Sequence, residues 1–179
     1  MKKQIRFELD DSSSFSVDTV NYFRRAGFRV VSALSDEISF TKGSVLQNMF
    51  TFNALSWKSD VRITYSNGEV VAIFEVNTFG QAVTPKEEQL WNTFVGNFRR
   101  SLIEKVDLNV ENEREMQETK MSNLKYVKWA IIGGIVCGIP SGVIAYYTGL
   151  DSLAAIGAAG GASLVVMYKV NKDRRNVSR

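Results

Sequence analysis

The 179-residue chain has no histidine, one cysteine and two prolines. Without histidine, neither a Ser-His-Asp nor a Cys-His catalytic arrangement can be assembled from it, and a Cys/His zinc cluster is excluded. A single cysteine, Cys137, excludes an intramolecular disulfide framework. Phosphate-binding loops are missing too: Lys42-Gly43-Ser44 lacks the rest of a P-loop. The carboxylates offer little for acid–base chemistry. Asp10 and Asp11 sit in a turn cluster, where Asp is favoured for backbone reasons. Glu87 is accounted for by a capping box, and Glu75, in an otherwise apolar strand, is expected on a solvent-facing sheet surface. The reading is therefore of a non-enzyme with no cofactor and no metal.

Charge is also missing, but only locally. Residues 1–110 carry 13 basic and 13 acidic side chains, and residues 111–128 carry four of each. Residues 129–168 hold one charge, Asp151. The net charge of +3 therefore comes from the last eleven residues, where Lys169, Lys172, Arg174, Arg175 and Arg179 face only Asp173. A neutral domain with a basic tail does not predict nucleic-acid binding.

The uncharged stretch divides into residues 129–150 and 152–168. A bilayer core of about 30 Å takes roughly 20 helical residues, with about 17 as the lower limit. Both runs read as transmembrane helices joined by a tight turn at 148–152, with Pro140 predicting a kink in the first. Lys120, Lys125 and Lys128 precede the hairpin and the basic tail follows it, while the turn has no Lys or Arg. The positive-inside rule then places both termini in the cytoplasm, in the inner membrane if the source is bacterial. Residues 1–6 lack an apolar signal-peptide core, which is expected to leave residues 1–110 on the same side. The membrane-interface residues on this reading are Trp129, Lys125, Lys128, Tyr168, Lys169, Lys172, Arg174 and Arg175, with Tyr126 beside them and Tyr146 and Tyr147 at the far interface. Cys137 would be an inert apolar residue within the bilayer.

Small residues recur every four positions in these helices. Gly134, Gly138 and Gly142 form one row; Ala154, Ala158 and Ala162 form a second; Ala155, Ala159 and Ser163 a third; and Gly157 pairs with Gly161. Such rows let backbones approach closely in lipid. One face is expected to pack within the hairpin and the remainder against further copies, which predicts a homo-oligomer. Polar residues are limited to Ser141, Thr148, Ser152 and Ser163, so a charged pore is not indicated.

Residues 1–105 read as a cytosolic α+β domain with a small antiparallel sheet and two helices. Strands are predicted over 3–9, 28–34, 37–41, 59–65 and 69–78, the last two joined by the hairpin signal Asn67-Gly68. A helix capped by Ser16 and stopped by Gly27 would turn Val20, Phe23 and Val17 inward. Thr84-Pro85-Lys86-Glu87 opens a second helix that buries Leu90, Trp91, Phe94, Val95, Phe98 and Leu102. The stretch 42–57, with Val45, Leu46, Met49, Phe50 and Phe52, is ambiguous. The strand order predicts a meander with helices on one face. Residues 106–123 read as a polar stalk or linker, 124–168 as the two-helix transmembrane hairpin and 169–179 as the basic cytoplasmic tail.

The function expected is that of a membrane-anchored interaction or sensing module, whose partners are the lipid bilayer, further copies of the chain and a protein bound by the cytosolic domain. The alternative is an oligomeric, pore-forming or channel-like effector gated by that domain.

Overall fold

The computed structural model describes residues 1–34, 36–48, 51, 53–79, 81 and 83–177. The chain divides into two compact units, one of Met1–Gln81 with Glu87–Glu118 and one of Ala82–Lys86 with Thr119–Arg179.

The first unit is α+β. Strands β1 (Lys2–Glu8), β2 (Arg29–Ala33), β3 (Glu37–Lys42), β4 (Ser59–Ser66) and β5 (Glu69–Val76) form one antiparallel sheet in the order β1-β5-β4-β3-β2. The meander expected from the sequence holds for β2 to β5. Strand β1 departs from it: helix α1 (Phe15–Arg25) separates β1 from β2, and β1 pairs with β5 at the opposite edge, Ile5 facing Ala72. Asn67 and Gly68 both have positive φ, 52° and 82°, as a two-residue type I′ hairpin requires.

Strand alternation divides the sheet into two faces. Phe40, Val61 and Phe74 stand side by side on the inner face, beside Ile38, Ile63, Val70 and Ala72, all buried. Helices α1 and α3 (Pro85–Glu104) close this face. Phe23 of α1 stacks on Phe40 at 4.6 Å, and Phe98 of α3 meets Phe7 and Phe74 edge-on. All six α3 residues expected in the core are buried, Trp91 completely. In α1 the buried positions are Phe15, Thr19, Tyr22 and Phe23. Val17 is 62% exposed, contrary to expectation. The helix starts earlier than a Ser16 cap would allow, because Phe15 is held against Tyr65 with ring centroids 4.9 Å apart.

The outer face is wet and charged. Glu75 lies here, paired with Lys2 at 2.8 Å, and this contact holds its carboxyl below the usual range. Arg6–Glu69 and Arg62–Glu37 continue the pattern across the strands.

The ambiguous connection between β3 and β4 is tightly built. It contains a short helix α2 (Val45–Asn48) and a 3-10 turn at Ala54–Ser56, while Met49, Phe50 and Phe52 lie outside the described residues. Asn48 is fully buried and bridges two segments, donating Nδ2–H to Asn77 O and accepting from Lys58 N–H. Gly43 has φ +68°, and a Cβ there would lie 2.5 Å from Ser56 O.

Helix α4 (Asn109–Thr148) begins in the first unit and continues unbroken past Pro140. Its opening turns are not wholly solvated: Asn112 is buried, donates to Tyr22 Oη and accepts from Asn97 Nδ2. Tyr22 in turn donates to Phe94 O at 2.8 Å, and burial pushes its phenol up. In the second unit, Gly149 (φ +70°) ends α4, its N–H returning to Ala145 O, and α5 (Ser152–Val177) follows within three residues.

Candidate functional site

Two regions carry features beyond fold maintenance: the pair of apolar helices and the cavities of the first unit.

Helices α4 and α5 are both long and apolar enough to cross a membrane, yet only 11% of the residues in either apolar stretch are buried. Their large side chains point outward. Ile131, Ile132, Ile135, Val136, Ile139, Val143 and Ile144 of α4 are 45–64% exposed, and Ile156, Leu164 and Met167 of α5 are exposed as well. The small residues face each other. A Cβ on Gly133 would lie 2.4 Å from Gly161 O, one on Gly161 would lie 2.4 Å from Cys137 Cβ, and one on Gly157 would overlap Ser141. Of the residues singled out from the sequence, Gly134 looks onto Ala158 and Ala162, Gly138 onto Ala158, and Gly142 onto Ala154, all in the same chain. The tightest seam (Gly133, Cys137, Ser141, Gly157 and Gly161) lies one position over from the Gly134/Gly138/Gly142 row. The hydroxyls of Ser141, Thr148 and Ser163 each donate to the carbonyl four residues earlier in their own helix.

At the end of the pair away from Gly149, the expected interface residues come together. Lys125 Nζ lies 2.6 Å from Asp173 Oδ2, which also accepts from Tyr126 Oη. The Lys125 contact holds the Asp173 carboxyl below its ordinary value. Lys169 Nζ sits 3.7 Å above the Trp129 ring, a cation–π distance. Arg174 donates to Val83 O. Lys128, Tyr168, Lys172 and Arg175 are exposed. In the sequence Asp173 is marked only by its position one helical turn beyond Lys169.

Two neighbouring cavities of the first unit share Arg25 and Asn109 in their walls. The larger, about 330 Å³, is lined by Asp18, Arg25, Lys105 and Asp107 among others, but its charges are satisfied: Arg25 pairs with Asp107, and Lys105 with Asp11 at 2.6 Å. The smaller, about 230 Å³, is walled by Phe28, Leu55, Phe94 and Met116, with Lys42, Arg25 and Glu113 as its charged members. Lys42 Nζ donates to Ala26 O at the end of α1 and lies 5.3 Å from the Phe28 ring centroid. Burial alone, with no carboxylate close enough to offset it, lowers its ammonium to about 8. In the sequence Lys42 stands out only within Lys42-Gly43-Ser44, which lacks the rest of a P-loop. The partners that bury it come from distant segments, which no local pattern reports.

Among the described residues no group of His, Cys, Asp and Glu could hold a metal ion. Neither a protein-family model, nor a curated protein, nor a solved structure matches the chain.

Proposed function

We propose that the protein is an integral membrane protein with two spans, anchored by α4 and α5, whose first unit serves as an interaction or sensing module on the cytoplasmic side. The observation that carries this reading is the inverted packing of the helix pair. In a water-soluble hairpin, Ile, Leu and Val face inward. Here Ile135, Ile139 and Leu164 face outward while glycine and alanine form the seam. That arrangement suits a hydrocarbon solvent, in which close backbone packing replaces the hydrophobic effect between helices. Residues 129–148 rise about 30 Å, the thickness of a bilayer core. The Lys125–Asp173 and Lys169–Trp129 contacts lie where a headgroup layer would meet both helices. The absence of Lys and Arg from the turn, against their abundance at both ends, supports cytoplasmic termini.

The self-association expected from the small-residue rows passes to Ala155, Ala159 and Ser163, which remain exposed on α5. Ala159→Leu is then expected to lower the particle mass in detergent. A conducting pore finds less support: the hydroxyls of Ser141, Thr148 and Ser163 are turned back onto their own backbones and are not offered to a polar conduction path.

The test is extraction. The full chain should float with liposomes and resist alkaline carbonate, and a fragment ending at residue 120 should remain soluble. Release of the full chain by carbonate would overturn the reading.

A further inference from the structure

We propose that the cavity beside Lys42 binds a small amphipathic monoanion, a carboxylate with an apolar ring or branched body, its anionic end on Lys42 Nζ and its body against Phe28, Leu55, Phe94 and Met116. The ammonium has three N–H donors, and one of them is taken by Ala26 O. The remaining donors have no carboxylate partner among the described residues, in contrast to the paired Arg25 and Lys105 of the adjacent cavity. Gly27 adjoins the amine: a Cβ there would lie 3.4 Å from Lys42 Nζ, an ordinary van der Waals contact. The walls decide the rest of the ligand. Phe28, Leu55, Phe94 and Met116 give the cavity an apolar side, which favours a ligand with an apolar body over a fully hydrated anion. A volume of about 230 Å³ sets the size at a single ring or a short branched chain. Glu113, which also lines the cavity, is exposed and makes no ion pair with Lys42, so a ligand carboxylate on the ammonium would supply its countercharge.

This deepens the sensing reading by naming the class of ligand sensed. Its test does not depend on where the chain resides, so the two can fail separately. The full chain in detergent solution is titrated with benzoate and, in parallel, with benzamide, its uncharged counterpart, and binding is read by saturation-transfer NMR on the ring protons. Benzoate is expected to bind saturably and benzamide about tenfold more weakly or worse, since a charge-assisted contact is lost. Lys42→Met should weaken benzoate about tenfold or more while leaving benzamide unchanged. Met116→Trp, which keeps the lysine and fills the cavity, should abolish both and guards against a misfolded Lys42 variant. Absence of saturable benzoate binding, equal affinity for the two probes, or benzoate binding that survives both substitutions would overturn the proposal and leave Lys42 as the cap of α1 only.

Discussion

The backbones of Gly133 and Gly161 touch: a Cβ placed on either residue would lie 2.4 Å from the carbonyl oxygen of the other. No side chain fits there without separating α4 from α5. Gly160, the next residue, has nothing within 4 Å of its notional Cβ. Gly161→Ala should therefore destabilise the helix pair by about 1–3 kcal/mol, the usual cost of overpacking. Gly160→Ala should be neutral or stabilising by up to about 1 kcal/mol through helix propensity. Thermal unfolding of the two variants in detergent compares them. Gly138→Leu belongs with Gly161→Ala: its notional Cβ is 3.0 Å from Ala158 Cβ, so it should destabilise the pair without changing the particle mass.

In the first unit, Trp91→Ala should cost roughly 3–5 kcal/mol, because the indole is fully buried among the core aromatics. Gly43→Ala should also be severe, by more than about 1 kcal/mol, since it combines positive φ with a clash against Ser56 O. Val17→Ala, on the exposed side of α1, should change stability by less than about 0.5 kcal/mol. Guanidinium unfolding followed by tryptophan fluorescence ranks the three.

Lys42 makes stability depend on pH in a defined direction. Its ammonium is lowered from the ordinary 10.5 to about 8 by burial. Between these values the unfolded chain binds more protons at this residue than the folded chain, so stability rises with pH across that window. Below about 8 both states are charged and the full burial cost applies; above 10.5 both are neutral and it has gone. The difference in unfolding free energy between wild type and Lys42→Met should shift toward wild type by roughly 2–3 kcal/mol from pH 7 to the top of the window. Arg25 and Glu113, the other charged groups lining this cavity, are unchanged in both. A flat difference would mean that water reaches the amine.

The Tyr22–Asn112 hydrogen bond sets where the first unit ends. A fragment stopping at residue 105 loses Asn112 and exposes the phenol, whereas one stopping at residue 120 keeps both. The longer fragment should unfold at a higher denaturant concentration, with Asn112→Ala in it costing about 1–3 kcal/mol.

What the sequence shows and hides follows from the range of the interactions involved. Asn67-Gly68, Gly27 and the stripe from Leu90 to Leu102 are local signals, and the structure bears each of them out. The pairing of β1 with β5 depends on strands some seventy residues apart. Asn48, Gly43 and Lys42 owe their burial to segments that meet only after folding. Asn112 sits in a stretch whose interleaved charges gave no hint of a buried amide. In α4 and α5 the four-residue spacing is a local pattern of small residues. Spacing alone does not set helix rotation, so the closest seam runs through Gly133 and Cys137 rather than through the more regular glycine row.

The central claim is that α4 and α5 cross a bilayer and return, leaving the first unit and the tail on one side. With Cys137 first replaced by alanine, single cysteines at Asp151 and at Val17 are exposed to a membrane-impermeant maleimide in intact cells. The account predicts that Asp151→Cys labels from outside, while Val17→Cys labels only after the membrane is opened. Labelling of Val17→Cys in intact cells, or protection of Asp151→Cys until lysis, would contradict it.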